Sequence, residues 1–196
     1  MFTGLIRRMA SDWTREMFHV KHGEKQMQKN ETYSVEITGL TAEGEGVARV
    51  DGQVVFVPGV IPGERCKIKI DHVGRTCAYG SLVRVEKTSE HRVTPECESF
   101  GHCGGCVFWH MDYACELEQK RRRVQDALSR IGGIDFPDLQ ITGSESIYGY
   151  RNKVQFPVQV QNGKAVAGFY KAGSHTVIPI TDCKIQPGVA KTIRAA

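Results

Sequence analysis

Apolar and polar residues alternate with a period of two in five short runs, residues 32–37, 46–50, 53–57, 64–73 and 79–86. Each run predicts a β-strand with one face on a core. Asp51-Gly52, between the second and third runs, is the sequence of a tight type I′ hairpin, and Pro58-Gly59 and Pro62-Gly63 mark further turns. Five strands spaced so closely predict a small closed barrel of the OB type. Gly44-Glu45-Gly46 lacks the third glycine and the following helix of a phosphate loop, so it reads as a turn. The period then changes. Leu117, Val124, Leu128 and Ile131 recur at helical spacing, Asp112 is placed to cap that helix, and Gly132-Gly133 is placed to stop it. Further on, residues 153–160 and 164–170 flank a second hairpin sequence, Asn162-Gly163, residues 176–180 form another strand, and residues 189–196 begin another helix. The expected fold class is α+β: a barrel over residues 29–88, then a mixed α/β domain over residues 89–196. Residues 1–28 show neither periodicity nor caps and are expected to be a mobile or spurious extension. Residues 17–22 can be encoded by palindromic DNA, which points to Met27 as the true start.

Composition narrows the class. With 40% hydrophobic and 24% charged residues, the 196-residue chain can bury a core, while no apolar run reaches the roughly 20 residues of a membrane helix and no secretory signal opens it. A soluble protein with no membrane partner is expected. Seven cysteines, an odd number clustered in spacing, fit a reducing cytoplasm better than a disulfide scaffold.

The net charge of +4 says little as an average, but its distribution points to named places. Lys120-Arg121-Arg122-Arg123 lies on the expected helix; four consecutive cations span all its faces, so at least two project away from the packed stripe toward phosphate. A solvated helix face accounts for the same run. Arg151 and Lys153 alternate with Asn152 at the entry to a strand, which suits a phosphate clamp beside a reader of an unpaired base, or an Asn cap among surface cations. Lys67, Lys69, Arg75 and Arg84 fall on barrel strands or turns, where an RNA face and a solvent face have the same composition.

The most informative feature is the run Cys97-Glu-Ser-Phe-Gly-His-Cys103-Gly-Gly-Cys106, with Cys183 far downstream. Two cysteines separated by two glycines can curl around one centre with backbone amides facing sulfur. The spacing alone leaves two candidates open: an iron–sulfur cluster, or a structural zinc with four thiolates or with His102 or His110 replacing one. Cys66, Cys77 and Cys115 read as small buried hydrophobes rather than ligands.

The cysteine run, the register of His110, Tyr113, Leu117, Lys120 and Val124 after it, and the later Tyr150-Arg-Asn-Lys153 together resemble the bacterial 23S rRNA (uracil-5-)-methyltransferases. The resemblance covers residues 30–196 and implies that the barrel is a TRAM domain. It implies that the second domain holds a [4Fe-4S] cluster through Cys97, Cys103, Cys106 and Cys183, and that 23S rRNA is the partner, with no obligate protein partner. Members often carry Gln where this chain has Trp109, an indole that donates one hydrogen bond and can stack. The family's S-adenosylmethionine site, nucleophilic cysteine and proton-abstracting glutamate have no counterpart in these 196 residues. The chain is therefore expected to be an amino-terminal portion without catalytic residues, inactive alone, with S-adenosylmethionine serving the full-length enzyme. tRNA-directed uracil methyltransferases generally lack both barrel and cluster, which favours rRNA. The alternative is a standalone, non-catalytic RNA-binding metalloprotein carrying iron–sulfur or zinc.

Overall fold

A computed structural model describes residues 27–189. The expected extension therefore lies outside the described residues except for its last two positions, and Met27 is buried against the barrel core. The five expected strands are present, with one short addition. They run β1 (Thr32–Glu36), β2 (Gly39–Leu40), β3 (Gly46–Val50), β4 (Gln53–Val57), β5 (Arg65–Val73) and β6 (Cys77–Lys87). Their order in the sheet is β1-β5-β6-β4-β3-β2, antiparallel except for the parallel pair of β4 and β6. Between β1 and β2 the chain changes partner: Ile37 N–H donates to the Glu64 carbonyl and Thr38 N–H to the Val47 carbonyl. β1 and β2 thus act as one bent strand that closes the barrel, and the bend is too short to leave a period-two signature of its own.

Alternation does what the pattern requires. On β5, Cys66, Ile68 and Ile70 are fully buried, while Arg65 and Lys69 stay exposed and Lys67 half-exposed. Asp51-Gly52 turns with φ of 49° and 79°, the two positive values of a type I′ hairpin. Gly46 is needed for space, because a Cβ there would come within 2.1 Å of the Val60 side chain.

The barrel is joined to the rest by a buried ion pair. Glu64 has no solvent exposure; its carboxylate accepts from Arg92 Nε (2.5 Å), Arg92 Nη2 (2.7 Å) and the Ile61 amide (3.0 Å), while Arg92 also donates to the Gly59 carbonyl at 2.9 Å. Burial pushes the Glu64 carboxyl up, but the Arg92 guanidinium and the amides of Ile61 and Ser89 outweigh it and hold its pKa below the usual range. A small second core of Ile61, Met111 and Cys115, with Leu40 and Phe108 against it, completes the junction.

Helix α1 (Tyr113–Asp126) starts where expected: the Asp112 carboxylate accepts from the Cys115 amide at 2.7 Å. It runs into a π-helical turn (Ala127–Ile131) and ends at Gly133, whose φ is 64°. The expected apolar stripe is corrected here. Val124 is 48% exposed and Ile131 87%, and the buried residue of the helix is Cys115. Only the first turns lie on the barrel junction, and the π turn shifts the periodicity that the spacing assumed.

The second sheet contains β7 (Val158–Gln161), β8 (Lys164–Tyr170) and β9 (Val177–Pro179) in that order, all antiparallel. The Asn162-Gly163 hairpin is present, with φ of 51° and 74°. The strand expected from residue 153 begins only at Val158, because Pro157 has no N–H to give a ladder. Arg151, Asn152 and Lys153 therefore lie in irregular chain. Gly188 and Val189 are helical; the rest of the expected last helix lies outside the described residues.

Candidate metal centre and nucleic-acid interface

The cysteine loop is folded by its own turn chemistry. Phe100 N–H donates to the Cys97 carbonyl, and His102 and Cys103 N–H both reach the Ser99 carbonyl, so the chain curls back between the first two cysteines. Gly104 N–H then donates to the Tyr170 carbonyl at 3.0 Å, pinning the loop to the end of β8. A Cβ on Gly104 would sit 3.2 Å from the Ala172 backbone, which is why the position between the two close cysteines tolerates no side chain. From the other side, Gly149 N–H donates to the Lys184 carbonyl and Arg151 N–H to the Ile185 carbonyl, which bring the segment after β9 to the loop.

The result is a small cavity lined by all four predicted cysteines, Cys97, Cys103, Cys106 and Cys183, with Phe100, Phe169, Ile180 and Ile185 as apolar walls. The Gly105 amide donates to Cys103 Sγ at 3.3 Å. Burial pushes the Cys106 thiol up to about 11 and also raises that of Cys103; the Arg151 guanidinium opposes the rise at both, and the other sulfurs of the cavity add to it. Among the described residues, no three His, Cys, Asp or Glu side chains are close enough to share one metal ion. The histidines considered as zinc ligands do not join the cavity. His102 is exposed, and His110 is buried with its Nε2 3.2 Å from the Val60 carbonyl of the barrel junction. Cys66 and Cys115 are buried in the barrel and junction cores, and Cys77 is half-buried on β6, as small hydrophobes would be.

The candidate RNA residues fall into three groups. On α1, Lys120 pairs with Glu116, Arg121 and Arg122 both pair with Glu118, and Arg123 donates to the Ala42 carbonyl at 3.4 Å. Lys120, Arg122 and Arg123, with Arg130, line an open groove of about 730 Å³ between α1 and residues 38–42 of the barrel. On the barrel, Lys67 stands directly across from Arg84 in the β5–β6 ladder, Lys69 lies on the same outer face, and Arg75 is exposed in the turn between the strands. Arg84 is tied to Glu86 at 3.0 Å. In the third group, Asn152 and Lys153 are exposed, but Arg151 points into the cysteine cavity. Its role there, beside four thiols, is the feature the sequence reading missed; nothing in the local pattern pairs Arg151 with a loop some fifty positions upstream.

No helix among the described residues is long and apolar enough to cross a membrane. Residues 26–83 match the TRAM domain family. The chain is 41% identical over 167 residues to an uncharacterised RNA methyltransferase of Clostridium tetani, an alignment covering 85% of this chain and 36% of that protein. It is 41% identical over 162 residues to another uncharacterised RNA methyltransferase, from Oceanobacillus iheyensis, covering 82% and 35%. The chain thus spans about a third of the length of the curated relatives it matches. Its fold is shared with the crystal structure of Pyrococcus abyssi tRNA (uracil-54, C5)-methyltransferase in complex with S-adenosyl-L-homocysteine. The TM-score there is 0.56 at 21% identity, over 82% of this chain and 35% of that one. The chain carries a TRAM domain and is homologous, over most of its length, to proteins named as RNA methyltransferases.

Proposed function

We propose that this chain is the RNA-binding and iron–sulfur portion of a cytoplasmic, S-adenosylmethionine-dependent methyltransferase that makes 5-methyluridine in 23S rRNA. The observation that carries the proposal is the convergence of Cys97, Cys103, Cys106 and Cys183 on one apolar cavity. A [4Fe-4S] cluster spreads its four thiolate ligands around a cube, wider than the ligand shell of one zinc. The donors fit in kind, four thiols, an amide aimed at Cys103 Sγ and the Arg151 cation to offset their charge, but the cavity holds only about 30 Å³ and its walls would have to move apart to admit the cluster. When bound, such a cluster would tie the 97–106 loop to the segment after β9. Methyl transfer is not a redox step, so its role here is structural and all four ligand positions are protein sulfur.

RNA would be held by the cations of the α1 groove, Lys120, Arg122 and Arg123, with Arg121 beside them on the helix, Asn152 and Lys153 beyond it, and Lys67, Lys69, Arg75 and Arg84 on the barrel as weaker contacts, while Arg151 faces the cysteine cavity instead. In the complete protein a cysteine thiolate would add to C6 of uracil and a base would remove the C5 proton after methyl transfer. None of the seven cysteines here is free for that role, so the 196-residue chain alone is expected not to methylate RNA. Iron, acid-labile sulfide and zinc measured on anaerobically purified chain test the reading. About four iron and four sulfide per chain support it. One zinc without sulfide overturns it in favour of a standalone RNA-binding zinc module.

A further inference from the structure

Next to the barrel junction, with Met111 of the junction core in its wall, lies a cleft of about 510 Å³ whose aromatic side chains none of the assignments above uses. Its walls carry Trp109, Tyr113, Tyr148 and Tyr150, and its charged positions are Glu96, Asp112, Glu116 and Lys120. Trp109 and Tyr148 meet edge to face, with ring centroids 5.8 Å apart and planes at 75°. The Tyr148 hydroxyl donates to Glu96 Oε1 at 2.8 Å, and that bond holds the phenol protonated, with its pKa raised. The Ser144 amide donates to the Tyr113 hydroxyl at 2.7 Å, fastening the far wall to α1. The rings are thus held in position, yet Tyr148 and Tyr150 remain 43% and 60% exposed. Aromatic area kept open to water is costly unless something covers it.

From this geometry we infer that the cleft binds one unpaired nucleobase of the RNA, stacked on the face of Trp109 with its edge toward Tyr148 and presenting an exocyclic amino group to Glu96. The inference rests on the RNA-binding reading above and adds a site to it. Ring faces stack on any base, a carboxylate accepts from a base N–H, and Lys120 at the rim, the first residue of the basic run, would exchange its partner Glu116 for a neighbouring phosphate. Cleft size is within the range of small-ligand sites.

The test uses the 196-residue chain, a fluorescein-labelled oligoadenylate hexamer, a matching abasic hexamer and a longer uridine-containing rRNA fragment, with binding read by anisotropy. Trp109→Ala is expected to weaken oligoadenylate at least about fivefold, the lower end of one stacked base, and to leave the abasic hexamer unchanged. Trp109→Phe, which keeps a ring, is expected to restore binding to within about twofold. With Trp13→Phe making Trp109 the sole tryptophan, oligoadenylate should quench its emission and the abasic hexamer should not. Glu96→Gln should narrow the preference for oligoadenylate over oligouridylate. Binding of the long fragment that ignores Trp109→Ala, or an equal loss in Trp109→Phe and Trp109→Ala, overturns the cleft and leaves the RNA reading standing. Failure to bind both the hexamer and the long fragment overturns the RNA reading itself.

Discussion

Replacing Arg92 with Ala strands the Glu64 carboxylate in a place with no solvent exposure, and the consequence can be worked out from its contacts. The carboxylate would keep the Ile61 amide and lose both guanidinium bonds, at 2.5 and 2.7 Å, together with the opposing charge. Breaking a buried pair by removing one partner costs about 3–5 kcal/mol, a large share of the 5–15 kcal/mol typical of a folded protein. For a chain of this size each kcal/mol moves the melting temperature by roughly 2–4 °C, so a fall of about 6–20 °C is expected at pH 7 by circular dichroism. The pH dependence gives the sharper test. In the intact protein Glu64 titrates below its ordinary value, so its contribution is complete above about pH 4.5 and is lost as pH falls through the lower folded value. Without Arg92 the burial that pushes Glu64 up is no longer outweighed; its folded pKa then exceeds the unfolded one, and acidification favours the folded state. The gap between the two proteins should therefore shrink between pH 7 and pH 5. Adding Glu64→Gln to Arg92→Ala removes the stranded charge but leaves an oxygen for Ile61, and should return most of the lost stability. A fall of less than about 2 °C at pH 7, or a gap that widens on acidification, would refute the reasoning.

Arg151→Ala removes the cation beside Cys103 and Cys106, so the reduction potential of the proposed cluster would become more negative, because reduction adds negative charge there; an unchanged potential by voltammetry at full iron content would count against that placement. Lys153→Ala should instead lower the salt dependence of RNA binding by about one phosphate contact without touching the iron content, and an unaltered slope would exclude Lys153 from the interface. Gly168→Ala places a Cβ 1.8 Å from the Ile178 carbonyl oxygen, so β9 must shift; a loss of about 1–3 kcal/mol or more in urea unfolding and poorer iron retention through Cys183 are expected. Asp112→Ala deletes the cap of α1 and should cost about 1 kcal/mol in the same assay.

The barrel was readable because its five long strands each repeat inside and outside positions and two of its turns need positive φ, which Asp51-Gly52 advertises. The two-residue β2 had no pattern to show. Past the barrel the reading weakened where local pattern and tertiary cover part company. Val124 and Ile131 obey helical spacing yet remain exposed, since only the first turns of α1 reach the junction core and an open groove separates the later turns from residues 38–42. Residues 153–157 look strand-like in composition but contain Pro157, and no neighbour supplies a ladder for them. The cysteines were legible as a set from spacing and resemblance, while the cavity walls were not, because Phe169, Ile180 and Ile185 reach it from β8 and the chain around β9. The aromatic cleft was invisible for the same reason: its walls come from three separate stretches, residues 93–96, 109–120 and 144–150.

Those stretches meet in residues 148–153, and the way they alternate explains how one short segment serves two sites. Tyr148 and Tyr150 face the aromatic cleft, Arg151 enters the cysteine cavity, and Asn152 and Lys153 are left on the surface. The segment has no regular secondary structure to hold it. It is fixed instead by Gly149 and Arg151 amides donating to Lys184 and Ile185, the two residues that follow Cys183. Whatever anchors Cys183 therefore also sets where Tyr148 and Tyr150 stand. A cluster bound by the four cysteines would act on RNA without touching it, by fixing the backbone from which the stacking rings project.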